Sequence, residues 1–264
     1  MQRGRKRASG VWVAVLVVGL AGGRGVAEAP AGAMAAFQSY VGQVEGRLER
    51  ERNGDLLAGM DAGQMGRVRG GEMVVEQASS GKETELPGAM LHQWRGTAFI
   101  RGGTEAGWER VMRDYGAYPR VYAPEVLGAK VVGGEGDRVQ VWMRVRQEHV
   151  LTVVLDATYA VSFGRAGRRG WSASRSMGIQ EMAGVGTERE RALTGGEEHG
   201  FLWRLNTYWR CEERDGGVYV RVETVSLSRA IPRGLGWAVG PFVESVPRES
   251  VEFTLRRTVS ALER

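Results

Sequence analysis

The sequence predicts an α+β fold: an antiparallel sheet, a long C-terminal helix, and a helical lead-in before them. Three observations carry this. Between about 126 and 227, segments rich in β-branched and aromatic residues alternate with Gly- and Asp-rich clusters, and no helical period separates them. One strand-like segment followed by one short amphipathic helix precedes that run. The chain closes on an apolar stripe, Val251, Leu255, Val259 and Leu262, at helical spacing. Strands that follow one another through short turns form an antiparallel meander, because parallel pairing needs long crossovers.

The chain opens with Arg3, Arg5, Lys6 and Arg7, then an almost wholly apolar run from Val11 to Leu20, then small residues. A basic head, a short apolar core and a small-residue cleavage region are the parts of a secretory signal. The run is shorter than the ~20 apolar residues that span a bilayer. Gly25 and Ala27 suit cleavage after Ala27, with Ala29 and Ala33 as alternatives; an uncleaved anchor is the competing reading. Residues 1–27 are therefore read as a signal peptide and the protein as secreted or periplasmic. The 264-residue chain has formal charge +5. Residues 1–27 hold five positives, Arg24 included, and no acid, so removing them leaves a chain near neutrality. A nucleic-acid binder needs a standing basic face, and that class is set aside. Cys211 is the one cysteine, so no intrachain disulfide forms. The 40 glycines follow no fixed period and read as turns.

Residues 28–88 read as lead-in and linker. Phe37, Tyr40, Val41, Val44 and Leu48 fall on one helical face, ending before Asn53-Gly54. Leu56, Leu57 and Met60 predict a further short helical turn, and Met73 to Val75 a short strand. Ser79 to Pro87 is polar and aperiodic, a linker. Residues 89–264 form the main domain. His92 to Arg101 is its first strand. Thr104 is an N-cap for a helix with Trp108, Val111, Met112 and Tyr115 on one face, ended by Gly116. A short turn follows at Tyr118-Pro119. Three hairpins come next: Val126–Val132 with Val139–Val145, Val150–Phe163 with Trp171–Ile179, and Phe201–Cys211 with Val218–Leu227. Their turns carry the Gly and Asp residues that tolerate positive φ. Pro247 is placed at the first position of the last helix, with Leu235 to Val243 as a separate helical piece broken from it by that proline.

This order of elements resembles the helix-grip fold of the START-like (SRPBCC) superfamily, which includes steroidogenic lipid-transfer domains, bacterial polyketide cyclases and coenzyme Q-binding proteins. The resemblance covers roughly Met90 to Arg264. Its local pieces are Ile231 to Val239, a Pro followed by an apolar, Trp-containing turn leading into the last helix, and Tyr118-Pro119 after the first helix. The resemblance implies a curved sheet wrapped around the C-terminal helix. It also implies a cavity for a hydrophobic small molecule or lipid, and it leaves room for transient contact with a membrane.

No catalytic or metal signature stands out. His92, His149 and His199 lack metal spacing, and no phosphate loop or nucleophile elbow is present. No cofactor is expected. Gly133 to Gly136 reads as a hairpin turn. What remains is the space between sheet and helix, a type of pocket that is ~300–1,000 Å³ and mostly apolar. Alternation puts Val153, Leu155, Ala157, Tyr159 and Val161 on one face, opposite Asp156 and its threonine neighbours. Val139, Val141, Met143 and Val145 share a face of the preceding strand. Trp203, Leu205 and Trp209 share one later. Arg175 falls in phase with Trp171, Ala173, Met177 and Ile179, which read as an inward row. It either meets a ligand's polar head, with Asp156, Glu181 or Glu223 as conceivable partners, or is an exposed Arg on a sheet face whose other side is buried. Asp156 is either a cavity acid or an outward strand position. Trp237 and Phe242 are either lids over the cavity mouth, as the resemblance implies, or packing of the last helix. The candidate ligand-binding set is Met143, Tyr159, Arg175, Met177, Trp203, Trp237 and Phe242. A cyclase- or hydrolase-like enzyme using Asp156 or Glu181, and a structural protein with a filled cavity, are the alternatives to a binding module.

N-terminal sequencing of the native protein is expected to start close to Glu28. A chain starting at Met1 or Gln2 would establish the uncleaved anchor instead.

Overall fold

A computed structural model describes residues 28–79, 85–148, 152–230 and 236–264, with backbone alone at 85, 195 and 236–244. The signal peptide expected at 1–27 lies outside these residues. The elements are α1 (Ala31–Glu51), α2 (Ala62–Arg69), β1 (Val74–Gln77), β2 (Glu85–Leu86), β3 (Ala89–Arg101), α3 (Glu105–Arg113), α4 (Tyr118–Val121), β4 (Val126–Glu135), β5 (Arg138–Glu148), β6 (Thr152–Ala166), β7 (Arg169–Ala183), β8 (Arg191–Ala192), β9 (Arg204–Arg214), β10 (Gly217–Arg229) and α5 (Gly236–Leu262). The strands form one ten-stranded sheet in the order β1-β3-β10-β9-β7-β6-β5-β4, with β2 on β3 and β8 on β7. Every pairing is antiparallel. The fold is α+β and has the helix-grip arrangement, with α5 held against the inner face of the sheet.

The hairpins form where β-branched runs meet glycine turns. Thr104 caps α3, its Oγ1 accepting from the Gly107 N–H at 3.0 Å. On the inner face, Ala98, Ala157, Tyr159, Val161, Trp209, Val220 and Val222 pack with Trp108 and Met112 of α3 and with Val251 and Leu255 of α5. Gly96 of β3 sets the approach of α5. A Cβ there would stand 3.0 Å from both Leu255 Cδ2 and Val251 Cγ1.

The outer face is buried as well. The lead-in lies on it: Ala33, Phe37 and Val44 of α1 pack against Leu91, Tyr208, Val225 and Leu227. Leu56, Leu57, Met60 and Val68 pack on Tyr219. β1 extends the sheet beyond β3. Polar contacts fix α1 in place. The Glu223 carboxylate, 2% exposed, accepts from Arg47 of α1, from Gln93, and from Arg95 Nε at 3.1 Å. Arg210 of β9 donates to the Glu51 carbonyl at the C-terminal end of α1 at 2.5 Å. The Leu56 N–H donates to Glu212 at 2.9 Å.

Two local expectations change. Leu56, Leu57 and Met60 sit in non-helical turns, and the helix begins later, at Ala62, where Asp61 and Gln64 form a reciprocal cap. Pro247 does not start the last helix. α5 runs from Gly236 through both Pro241 and Pro247. A proline removes one backbone hydrogen bond and bends a helix, a local cost that a 27-residue helix packed on a sheet absorbs.

A chain beginning at Leu86 would lose α1, α2 and β1 and expose Glu223, Leu91, Val225 and Leu227. It is expected to show no cooperative thermal transition in calorimetry. A sharp transition at the full chain's temperature would mean that the outer face needs no cover.

Candidate functional site

The inner face of the sheet curves away from α5 at the β5–β6–β7 end and leaves a cavity of about 180 Å³. Strand alternation decides its walls. Val141, Met143 and Val145 of β5 and Leu155, Ala157, Tyr159, Val161 and Phe163 of β6 point inward, as their paired register requires. β7 contributes Ser172 and Ser174, and β9 contributes Leu205, Thr207 and Trp209. α5 closes the space with Ser250, Phe253 and Thr254. The lining is apolar with a strip of hydroxyls, the composition that binds a hydrophobic molecule and orients it.

One end of the cavity is formed by three tyrosines. Tyr115 and Tyr118 have ring centroids 5.0 Å apart, and Tyr118 and Tyr122 4.9 Å in an edge arrangement. The Tyr118 hydroxyl donates to the Met112 carbonyl at 2.8 Å, and the Tyr122 hydroxyl bonds Thr258 Oγ1 at 3.0 Å. Burial drives the pKa of Tyr118 and Tyr159 upward and that of Tyr122 up to about 12, so all three stay neutral. Glu125 follows the tyrosines into the lining. Burial pushes its carboxyl up to about 7, the nearby Arg257 partly opposing this and Glu249 adding to it. A carboxyl shifted this far can carry its proton closer to neutral pH than an ordinary glutamate, and so can donate as well as accept.

The expected residues divide between two faces. Met143 and Tyr159 line the cavity. Arg175 does not face it. Its Nε donates to Glu45 of α1 at 2.6 Å, and the Tyr208 hydroxyl donates to the same carboxylate oxygen at 2.8 Å. The row Trp171, Ala173, Arg175 points outward. Trp171 and Ala173 read as inward because α1 covers them: Ala173 packs in the α1 cluster, and Arg52 stacks over Trp171. A bulge then shifts the phase. Tyr159 pairs with Ser176 and Thr158 with Gly178, leaving Met177 as the extra residue, 53% exposed, and returning Ile179 to the inner face. Trp203 precedes β9, so alternation within that strand does not govern it; it packs in the outer cluster with Ala33 and Phe37. The side chains of Trp237 and Phe242 lie outside the described residues.

The two candidate acids are engaged elsewhere. Asp156 faces outward and is held by one edge of the Arg144 guanidinium, Nε and Nη2 donating to its two oxygens at 2.6 and 2.8 Å. Glu181 accepts from the backbone N–H groups of His199, Gly200 and Phe201 at 3.0, 2.9 and 3.0 Å. Glu125 was missed by sequence reading. An acid directly between a Pro-containing turn and an apolar strand start, Pro124-Glu125-Val126, was the available signal. Among the described residues no group of three or more His, Cys, Asp or Glu is placed to hold a metal.

No protein-family model matches the chain, and no curated protein is similar to it. Solved structures similar in fold include a STAR-related lipid transfer protein from Xanthomonas axonopodis, at 15% identity over 72% of this chain and 99% of that one, with a TM-score of 0.47. Human STARD10 is similar at 9% identity over 71% and 72%, with a TM-score of 0.46. The Zhui aromatase/cyclase from Streptomyces sp. R1128 is similar at 14% identity over 66% and 94%, with a TM-score of 0.45.

The raised Glu125 pKa sets a pH dependence. The folded protein keeps this carboxyl protonated at pH values where the unfolded chain, with a carboxyl near 4.5, has ionised it. The folded state therefore binds more protons between about 4.5 and 7, and stability falls as pH rises through that window. Calorimetry at pH 4.5 and 7 is expected to show that Glu125→Gln loses less stability across the interval than the native chain. Equal losses would mean that Glu125 titrates as an ordinary surface acid.

Proposed function

We propose that this protein is an exported binding module for a hydrophobic small molecule or lipid. Its apolar end lies in the cavity between the sheet and α5. The observation that carries the reading is the cavity itself: a mainly apolar space between the sheet and α5, with a titratable polar group, Glu125, in its lining. Burying ~200 Å² of apolar ligand surface contributes about 5 kcal/mol before the costs of association, so binding needs no catalytic group.

Export rests on the basic and apolar pattern of residues 1–20 and on the near-neutral charge of the chain beyond residue 27. No described helix is long and apolar enough to cross a membrane. Transient contact with a membrane remains part of the proposal.

One observation favours a second reading. A carboxyl with a pKa near 7 beside tyrosines in a cavity is the usual condition of a general acid. The cyclase- or hydrolase-like alternative therefore passes to Glu125, since Asp156 and Glu181 are bound by structural partners.

Displacement of a fluorescent fatty-acid probe tests the binding reading. The native chain is expected to bind the probe saturably. Ala157→Trp, which fills the cavity from β6, is expected to abolish binding, and Arg175→Met to leave it within about twofold, because Arg175 serves the α1 contact. Loss of binding in Arg175→Met with Ala157→Trp unaffected would place the site on the outer face.

A further inference from the structure

The inner cavity is small beside the ~300–1,000 Å³ of most small-molecule pockets, and the sheet behind it is not continuous. β7 and β9 pair only from Arg169 with Glu212 to Arg175 with Asn206. Past Arg175 the bulge at Met177 carries β7 onward with β6 and β8, while β9 starts at Arg204. Across the splay the contacts are side chain to backbone. The Ser176 N–H donates to Asn206 Oδ1 at 3.2 Å, and the Leu205 N–H to Ser176 Oγ at 3.0 Å.

On the outer side of this seam lies a second cavity of about 590 Å³, walled by Trp142, Thr158, Gln180, Glu198 and Arg204 among others. Ile179 and Leu202 line both cavities. Two aliphatic side chains, rather than a hydrogen-bonded strand pair, thus stand between inner and outer space. Trp203 borders the outer cavity, and its indole Nε1 is buried without a hydrogen-bond partner among the described residues.

We propose that the seam between β7 and β9 is a ligand passage, and that the outer cavity holds the polar end of an amphiphile whose apolar end lies in the inner cavity. The proposal rests on the binding reading above and adds the ligand's second half. Leu202 is the gate. It sits directly after the turn that Glu181 fixes through the N–H groups of His199, Gly200 and Phe201, so one aliphatic side chain is presented at the seam from a rigid support. The outer lining selects the head group. Thr158 and Gln180 both donate and accept. Glu28, Glu181 and Glu198 outnumber Arg204 and, in a chain that starts at Glu28, its terminal ammonium, while Asp156 is already bound by Arg144. A neutral or cationic head rich in hydroxyl or amine groups fits this lining, and an anionic head meets net negative charge.

Isothermal titration of the native chain with three probes tests this. Hexanol needs the inner cavity alone, octyl glucoside needs both, and octyl sulfate carries the wrong charge. Octyl glucoside is expected to bind more tightly than octyl sulfate. Thr158→Val is expected to weaken octyl glucoside about two- to tenfold, the range of one or two hydrogen bonds, and to leave hexanol unchanged, whereas Leu202→Trp, which touches both cavities, is expected to weaken octyl glucoside more than hexanol. Thr158→Val is nearly isosteric, so its result stands even if the Leu202 variant is poorly folded by circular dichroism. If neither variant moves octyl glucoside, or octyl sulfate binds equally well, the passage and its head-group site are overturned while the inner cavity stands. If the native chain binds no hexanol, or Ala157→Trp leaves hexanol binding intact, the inner-cavity reading fails and this proposal with it.

Discussion

The Glu223 carboxylate ties the two halves of this protein together. It lies on β10 in the middle of the outer face, 2% exposed, where an unpaired charge would cost several kcal/mol. Its partners come from α1 (Arg47) and from β3 (Gln93 and Arg95). Removing α1 would therefore remove more than apolar cover, because it would withdraw a charged partner from a carboxylate that cannot easily be hydrated. With α1 fixed there, the other contacts along it follow. Glu45 meets Arg175 and Tyr208, and the C-terminal carbonyl of Glu51 meets Arg210. Buried ion pairs often add little net stability. Here the arrangement sets where α1 lies, and α1 in turn makes the sheet two-sided.

A two-sided sheet frees the inner face for a different use. With the outer face packed against α1 and the turns after it, the inner face does not need to be filled completely. At the end nearest β3 it is filled, by Val251 and Leu255 of α5 meeting Gly96 and Val222. At the β5–β6–β7 end it is not, and the three tyrosines, Glu125 and the β7 serines surround open space. The polar groups there differ in how they are satisfied. The Tyr118 and Tyr122 hydroxyls have protein partners, whereas Glu125 responds to its surroundings mainly through burial. The site is thus a rigid apolar wall with one electrically adjustable group.

Much of this was legible in the sequence. The order of strands and helices, the Thr104 cap, the three hairpins and the inward rows of β5 and β6 follow from local rules: period-2 alternation, glycine turns and capping chemistry. Those rules act over a few residues, and β5 and β6 obey them because their outer faces carry polar residues such as Gln140, Arg144, Asp156 and Thr158, which mark the inner row by contrast. That contrast placed Met143 and Tyr159 at the cavity, while Asp156 stood open between a cavity acid and an outward position until its Arg144 contact was seen.

The sequence by itself determined the class of fold, the course of the meander and the faces of the strands with one polar side. Only the tertiary structure decided the facing of β7, the place of α1 and the identity of the cavity's acid. Along β7 both faces are covered, so Trp171 and Ala173 carry no sign of which side they serve. The bulge at Met177 then changes the phase without any marker in composition. Arg175 reads as inward only if the partner that covers its face, 130 residues earlier in the chain, is unknown. Glu125 is an ordinary glutamate in sequence, and its raised pKa comes from burial and from Arg257 and Glu249 of α5, which no local pattern brings together. Periodicity reports local geometry; which face is covered, and by what, is set by contacts between segments far apart in the chain.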